Sequence, residues 1–274
     1  MNLSSAELKK FARIALKGKY GVLIGTYLIF QVIVFAVSVI TNVLFRYNAS
    51  VTSLVIYISI QFVLSFIWVI FSVGFIYQSM KVCRGEPISI ADLFYAFTHN
   101  PDRYIIISLL EILIVLVLFA PSIALFTIAS LSGVYVSTAL IVVGGIFTLI
   151  GYVFIFIIVL AFSLSFYLII DNPSMSAIDS LKTSWHLMKG KKGRLFYISL
   201  SFIGLTLLGI LSFGVGLLWV VPYMNVTTAY FYFDVIGALN PPVAPVAPIE
   251  PAVSTFVEPT ITTTPPEAPH NEQQ

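Results

Sequence analysis

Few side chains in this sequence could do chemistry in an apolar setting, and Glu111 stands first, the one acid inside a long hydrophobic run. Counted from Tyr104 at about 1.5 Å per residue, it lies about 10 Å along a helix from the edge of that run. An intramembrane carboxylate is costly, so by default it marks a proton relay or a cation site. The other reading is structural: the acid stays neutral, hydrogen-bonds to Gln31 or Gln61 on a neighbouring helix, or reaches toward Arg103. A lone acid in the outer third of a helix favours the structural reading.

No other constellation completes a catalytic or metal site. His99, His186 and His270 are scattered, and no span pairs a histidine with an acid or a second ligand, as zinc or di-metal chemistry requires. The many serines and threonines lack a nearby His or Lys base to activate a nucleophile. Gly214-Val215-Gly216 and the glycines of K-G-K-K-G (189–193) lack phosphate-loop spacing and read as turns. The single cysteine, Cys83, excludes an internal disulfide framework or a thiolate cluster. Its place beside a membrane end makes it a palmitoylation candidate in a eukaryotic host and otherwise inert. No enzyme, cofactor or metal is expected.

A second group of candidates is basic. Lys182, Lys189, Lys191, Lys192 and Arg194 flank Trp185, Phe196 and Tyr197. Aromatic rings suit the membrane interface, and each lysine adds about 1 kcal/mol toward anionic headgroups. The plainer reading is positive-inside anchoring, which any multi-pass protein needs.

These residues belong to a membrane chain. Of its residues 59% are hydrophobic and 9% charged, with mean hydropathy +1.01, whereas about a quarter of a soluble domain is charged. No Asp, Glu, Lys or Arg occurs from Ile112 to Ile170. A helix crossing about 30 Å of hydrocarbon needs about 20 apolar residues, so this run holds two spans. The first apolar run, Gly21 to Leu44, is too long for a signal peptide and follows a basic amphipathic start, which is expected to be retained.

The elements that position the candidates come in three copies. Ser4 and Glu7, Ser89 and Asp92, Ser176 and Asp179 each have capping-box spacing. Apolar residues then recur at helical spacing: Leu8, Phe11, Ala12 and Ala15; Ile90, Leu93, Phe94 and Phe97; Ile178, Leu181, Trp185 and Met188. Gly18, Asn100-Pro101 and Gly190 stop these helices, Lys19, Arg103 and Lys191 follow, and a hydrophobic run begins at once. The expectation is an all-α polytopic membrane protein, built as three repeats of amphipathic helix (near 4–18, 89–100 and 176–190) plus hairpin.

Six spans fit best: Gly21 to Leu44, Leu54 to Tyr77, Tyr104 to about Leu131, about Thr138 to Ile170, Leu195 to Leu211, and Leu217 to Phe233. One continuous helix from Leu195 to Val221 would give five, but the repeat favours a third hairpin. Of the 14 Lys and Arg residues only Arg46 falls in an opposite loop, which places the other 13 and both termini in the cytoplasm. Asn48-Ala49-Ser50 matches a glycosylation acceptor by a spacing common by chance. Pro121, Gly144, Gly145 and Gly151 could be transport hinges, but small residues also let helices pack closely, and packing is favoured. Residues 240–274 hold nine prolines and four glutamates without Lys or Arg, and read as a disordered tail outside the membrane domain, 1–239. That leaves about +6 on the membrane domain, positive charge that faces lipid, not nucleic acid.

At A-I-D-S-L-K-T-S-W-H-L-M-K-G-K-K-G-R-L-F (177–196), continued by L-S-F-I-G-L, F-G-V-G-L-L-W-V-V-P-Y and T-T-A-Y-F-Y, the chain resembles the bacterial integral membrane family called domain of unknown function 975. F-A-R-I-A-L-K-G-K-Y near the start and R-G-E-P-I-S-I-A-D-L-F in the middle extend the likeness over residues 1 to about 236. S-W-x-L-x-K-G also looks like the membrane domain attached to some glycerophosphodiester phosphodiesterases, but their catalytic domain is not present and hydrolysis is not carried over. The resemblance implies a multi-pass bacterial membrane protein without assigned activity. The expected function is a non-enzymatic membrane or lipid-interacting component, with membrane lipids as partners; the alternative is a small transporter.

Overall fold

The computed structural model describes residues 3–45, 50–132 and 134–239. Arg46, the Asn48-Ala49 part of the acceptor motif and the proline-rich tail lie outside these residues. The described chain runs α1 (Ser5–Ala15), α2 (Tyr20–Phe45), α3 (Val51–Arg84), a 3-10 turn (Ile90–Phe94) leading into α4 (Tyr95–Thr98), α5 (Pro101–Leu131), α6 (Val134–Phe162), α7 (Ser165–Asp171), α8 (Ala177–Leu187), α9 (Lys192–Leu200), α10 (Ile203–Leu211) and α11 (Leu217–Ile236). No strand occurs among the described residues.

Five stretches among them are long and apolar enough to cross a membrane: Tyr20–Phe45, Val51–Arg84, Pro101–Leu131, Ser137–Asp171 and Lys192–Leu211. The sixth expected span is α11, which carries Pro222, Asn225 and Asp234 and is mostly buried toward its C-terminal end. α10 and α11 form a hairpin, not one helix. Phe213 (φ 54°) and Gly214 (φ 84°) take the left-handed turn, and a Cβ on Gly216 would stand 2.8 Å from the Gly209 Cα, an approach only glycine permits.

Capping chemistry explains where the amphipathic segments begin and end. The first box closes in both directions: the Glu7 N–H donates to Ser4 Oγ at 3.3 Å and the Ser4 N–H to Glu7 Oε2 at 2.7 Å. At the third, Asp179 N–H donates to Ser176 Oγ at 3.1 Å, while the serine hydroxyl donates to the Asp179 carboxylate. Gly18, Asn100 and Gly190 all adopt positive φ, the usual helix stop, and Pro101 opens α5 at its first turn.

The second copy departs from the expected regular helix. It is a 3-10 turn plus one α-turn because it is drawn down onto α3 at several points. Lys81 pairs with Asp92 at 3.0 Å, Gln78 Nε2 donates to the Ser89 carbonyl at 2.8 Å, and the Leu93 carbonyl lies where a Cβ on Gly74 would be, 2.2 Å away. Gly74 therefore gives backbone access to α3.

The three repeats close into a ring. Each amphipathic segment packs on the returning arm of the preceding hairpin: the 3-10 turn on α3, α8 on α7, and α1 on α11. The last of these joins the first repeat to the third. Two returning or outgoing arms are broken, and an amphipathic helix serves each break. Between α6 and α7 the Leu164 N–H donates to Ser184 Oγ (3.2 Å), which donates to the Ala161 carbonyl (2.7 Å). Between α9 and α10 the Lys9 ammonium donates to the Ser201 carbonyl (3.1 Å) and lies over the Phe202 ring. Inserted side chains of this kind are an established cause of helix bends.

The core lies at the end of the bundle where the basic residues gather. Leu8, Ala12, Val73, Met80, Leu164, Met188, Val226, Ala229 and Phe231 are all fully buried there. Toward the other end, α2, α3, α5 and α6 present exposed apolar residues such as Phe35, Leu54, Val117 and Leu149. α5 and α6 pair closely there through glycines. A Cβ on Gly144 or Gly151 would meet the rings of Phe126 (3.0 Å) or Phe119 (3.2 Å).

Candidate functional site

At the basic end each cation that opens a hairpin also closes it. The Lys19 ammonium donates to the Glu86 carbonyl at 2.9 Å, just past α3. Arg103 donates to the carbonyls of Pro173 and, at 2.9 Å, Met175, just past α7. Lys191 donates to the Val235 carbonyl at 3.2 Å, in the last turn of α11. At Val235 and Glu86 the carbonyl lies at or just past a helix C-terminus, the negative end of the dipole, where a cation is the fitting partner. Burial pushes the Lys19 ammonium pKa down from its ordinary value, with neighbouring acids opposing the shift.

The three returning arms meet around Asp171. Its carboxylate pairs with Arg84 at the end of α3 and accepts from the Tyr232 hydroxyl of α11 at 2.7 Å. Arg84 also lies over the Phe233 ring. A second ion pair joins Arg194 to Asp234, whose side chain is 0% exposed. Neither acid was singled out from the sequence. Both lie at the last turn of a returning arm, a position the repeat register marks in advance.

The expected headgroup residues divide into two sets. Arg194 is occupied by Asp234 and Lys191 by the Val235 carbonyl, so both point into the protein. Lys182, Trp185 and Lys189 are exposed, and the Lys192 ammonium lies 4.3 Å from the centre of the Trp185 ring. The apolar stripe of α8 divides likewise. Leu181 and Met188 are buried in the protein, whereas Ile178 (53%) and Trp185 (37%) stay exposed. Leu8 and Ala12 of α1 and Leu16 just past it are fully buried, so this apolar face is taken up by protein.

The intramembrane polar residues are not brought together. Gln31 is exposed on α2. Gln61 Nε2 donates to the Tyr57 hydroxyl one turn away and lines an apolar groove between α2 and α3. Glu111 lines a separate cavity of about 440 Å³ between α3, α5 and α6, open to the surroundings where Trp68, Leu116 and Val159 are exposed. The expected bonds from Glu111 to Gln31, Gln61 or Arg103 do not form. Trp68 and Ser65 are the wall common to both spaces. Among the described residues no group of three or more His, Cys, Asp or Glu could hold a metal. Cys83 is buried, and its thiol lies 3.7 Å from the Val226 carbonyl.

A family model described as "Protein of unknown function (DUF975)" matches residues 1–238. No curated protein and no solved structure matches the chain.

Proposed function

We propose, for a chain that belongs to the DUF975 family of proteins of unknown function, a non-enzymatic, lipid-interacting component of the bacterial cytoplasmic membrane with both termini inside. The observation that carries the lipid part is the half of α8 left uncovered: Ile178 and Trp185 beside Lys182 and Lys189, with Lys192 over the indole. An apolar strip edged by lysines is the chemistry of an interfacial helix on anionic lipid. The side assignment rests on the clustering of basic residues, which set topology.

The test is lipid retention by the whole protein. Purified from membranes of mixed phosphatidylglycerol and phosphatidylcholine, it should hold phosphatidylglycerol preferentially in native mass spectrometry, and joint replacement of Lys182 and Lys189 by Gln should lower that preference. Equal retention of the two lipids would leave only a topology signal. Reporter fusions at Gly85, Lys191 and Leu239 should all report inside; a periplasmic report at Leu239 would contradict the orientation.

A second reading, a small transporter, draws on the free carboxyl of Glu111 in its cavity. Loss of a proton or cation flux in vesicles on Glu111→Gln, with expression kept, would favour it over the lipid role.

A further inference from the structure

The cavity holding Glu111 has a distinctive polarity. Its walls are Trp68 and Val69 of α3, Ile112, Val115 and Leu116 of α5, and Ile155, Ile158, Val159 and Phe162 of α6. Two hydroxyls also line it, and both are taken: Ser65 Oγ donates to the Phe62 carbonyl (2.6 Å) and Ser108 Oγ to the Ile105 carbonyl (2.9 Å). Neither α3 nor α6 contributes an ionisable group to the lining. The described cations nearest in sequence are held elsewhere, Arg103 on Pro173 and Met175 and Arg84 on Asp171. Glu111 is thus an acid without a counter-charge among the described residues, facing a space large enough for an organic group.

We propose that this cavity binds a lipophilic monocation, an ammonium-type charge carrying an alkyl or aryl body, with the Glu111 carboxylate as its counter-ion. Elimination among ligand classes leads there. A hard metal ion needs six or so oxygen ligands, and one carboxylate with two hydroxyl oxygens is too few. An anion meets repulsion, and a polyhydroxylated solute finds too few hydrogen-bonding groups. A lipid tail fills the apolar volume but gives the carboxyl neither a hydrogen bond nor a counter-charge, which is costly whether the acid is neutral or charged. A lipophilic cation meets both needs: its body covers the Ile, Val and Leu walls, and its charge answers the acid. Trp68 and Phe162 add aromatic faces of the kind that attract cations. This deepens the transporter reading by naming a solute class, and it is independent of lipid binding at α8.

The experiment uses the full chain in nanodiscs of zwitterionic lipid, with tetraphenylphosphonium as the probe and tetraphenylborate, of the same shape and opposite charge, as the control. Empty nanodiscs supply the partition background. Expected is saturable binding of one phosphonium per chain, weakened about tenfold or more in Glu111→Gln and less in Glu111→Asp, with each factor of ten worth about 1.4 kcal/mol. Trp68→Ala, which leaves the acid in place, should weaken it severalfold. The borate should neither bind saturably nor compete. Equal affinity in wild type and Glu111→Gln, saturable borate binding, or no saturable phosphonium binding would each overturn the proposal. Binding on these terms without flux in vesicles would uphold the site and remove the transport reading.

Discussion

The two ends of the bundle differ in their residues and are held together differently. At the basic end, amphipathic segments and broken helices meet in a dense core, with an ion pair on the wholly buried Asp234 and side chains bonded to backbone carbonyls. At the far end, α2 and α3 diverge around an apolar groove, and α6 shows Ile141, Leu149 and Tyr152 to the surroundings. The reason is the solvent. Lipid tails are as apolar as leucine, so burying leucine between helices in a bilayer gains little. Polar groups and interrupted backbone are a different matter, because lipid offers them no partner. The end rich in such groups must pack, and the end poor in them packs closely only where glycines bring α5 and α6 together.

The largest test of that contrast is the Arg194–Asp234 pair. Asp234 is wholly buried, so Arg194→Met should cost about 3–5 kcal/mol by leaving a buried charge unpaired. Adding Asp234→Leu should restore much of the loss. Thermal unfolding in detergent reads both, and a double variant no better than the single would show that the charges are not coupled.

Glycines at the two ends supply the next comparison. Gly74→Ala drives a Cβ onto the Leu93 carbonyl and should cost about 1–3 kcal/mol by overpacking. Gly145→Ala, in α6 with nothing within 4 Å, should be neutral or slightly stabilising, because alanine is the better helix former by about 1 kcal/mol. Equal losses at both sites would mean that the Gly145 face of α6 is as tightly packed as the basic end.

Ser184 stands at the meeting of α8 with the α6–α7 break. Ser184→Ala would leave the Leu164 N–H and the Ala161 carbonyl without this partner, at about 1–2 kcal/mol. Ser199, whose hydroxyl bonds only the Leu195 carbonyl of its own helix, should tolerate the same change.

Much of the basic end was legible in the sequence, since its cues are local. Ser4 and Glu7, Gly18, Asn100, Gly190 and the following Lys or Arg declare helix starts and stops within a few residues of one another. What the cues could not give is the partner across the ring. Ser184 looks like any helical serine until the break at Leu164 is placed beside it, and Gly74 looks like an ordinary membrane glycine until Leu93 lies on it. The α8 stripe was legible as amphipathic, but periodicity does not say how much of it protein covers, and protein covers Leu181 and Met188 but leaves Ile178 and Trp185 exposed. Glu111 was visible as an anomaly. That neither glutamine reaches it depends on how α2, α3 and α5 are arranged, which hydropathy does not encode.

The finest test separates two meanings of a basic residue. Lys17 and Lys19 both precede the first span and count equally as topology signals, but Lys17 is exposed and Lys19 holds the Glu86 carbonyl. Lys19→Met should lower stability by about 1 kcal/mol, below the usual range for a charged hydrogen bond because the ammonium is only partly buried. Lys17→Met should stay within about 0.5 kcal/mol, as surface changes do. The losses should appear in unfolding of the purified protein, while reporter fusions at Gly85 remain unchanged in both variants, because many other basic residues still set the orientation. If the two substitutions were equally harmless, the contact at Glu86 would be incidental and Lys19 a topology signal alone. A shifted reporter with unchanged stability would lead to the same conclusion by the opposite route. A loss confined to Lys19 would mean that the residue marking the start of a hairpin also fastens its end, which is how a basic end can be both oriented and packed by the same few side chains.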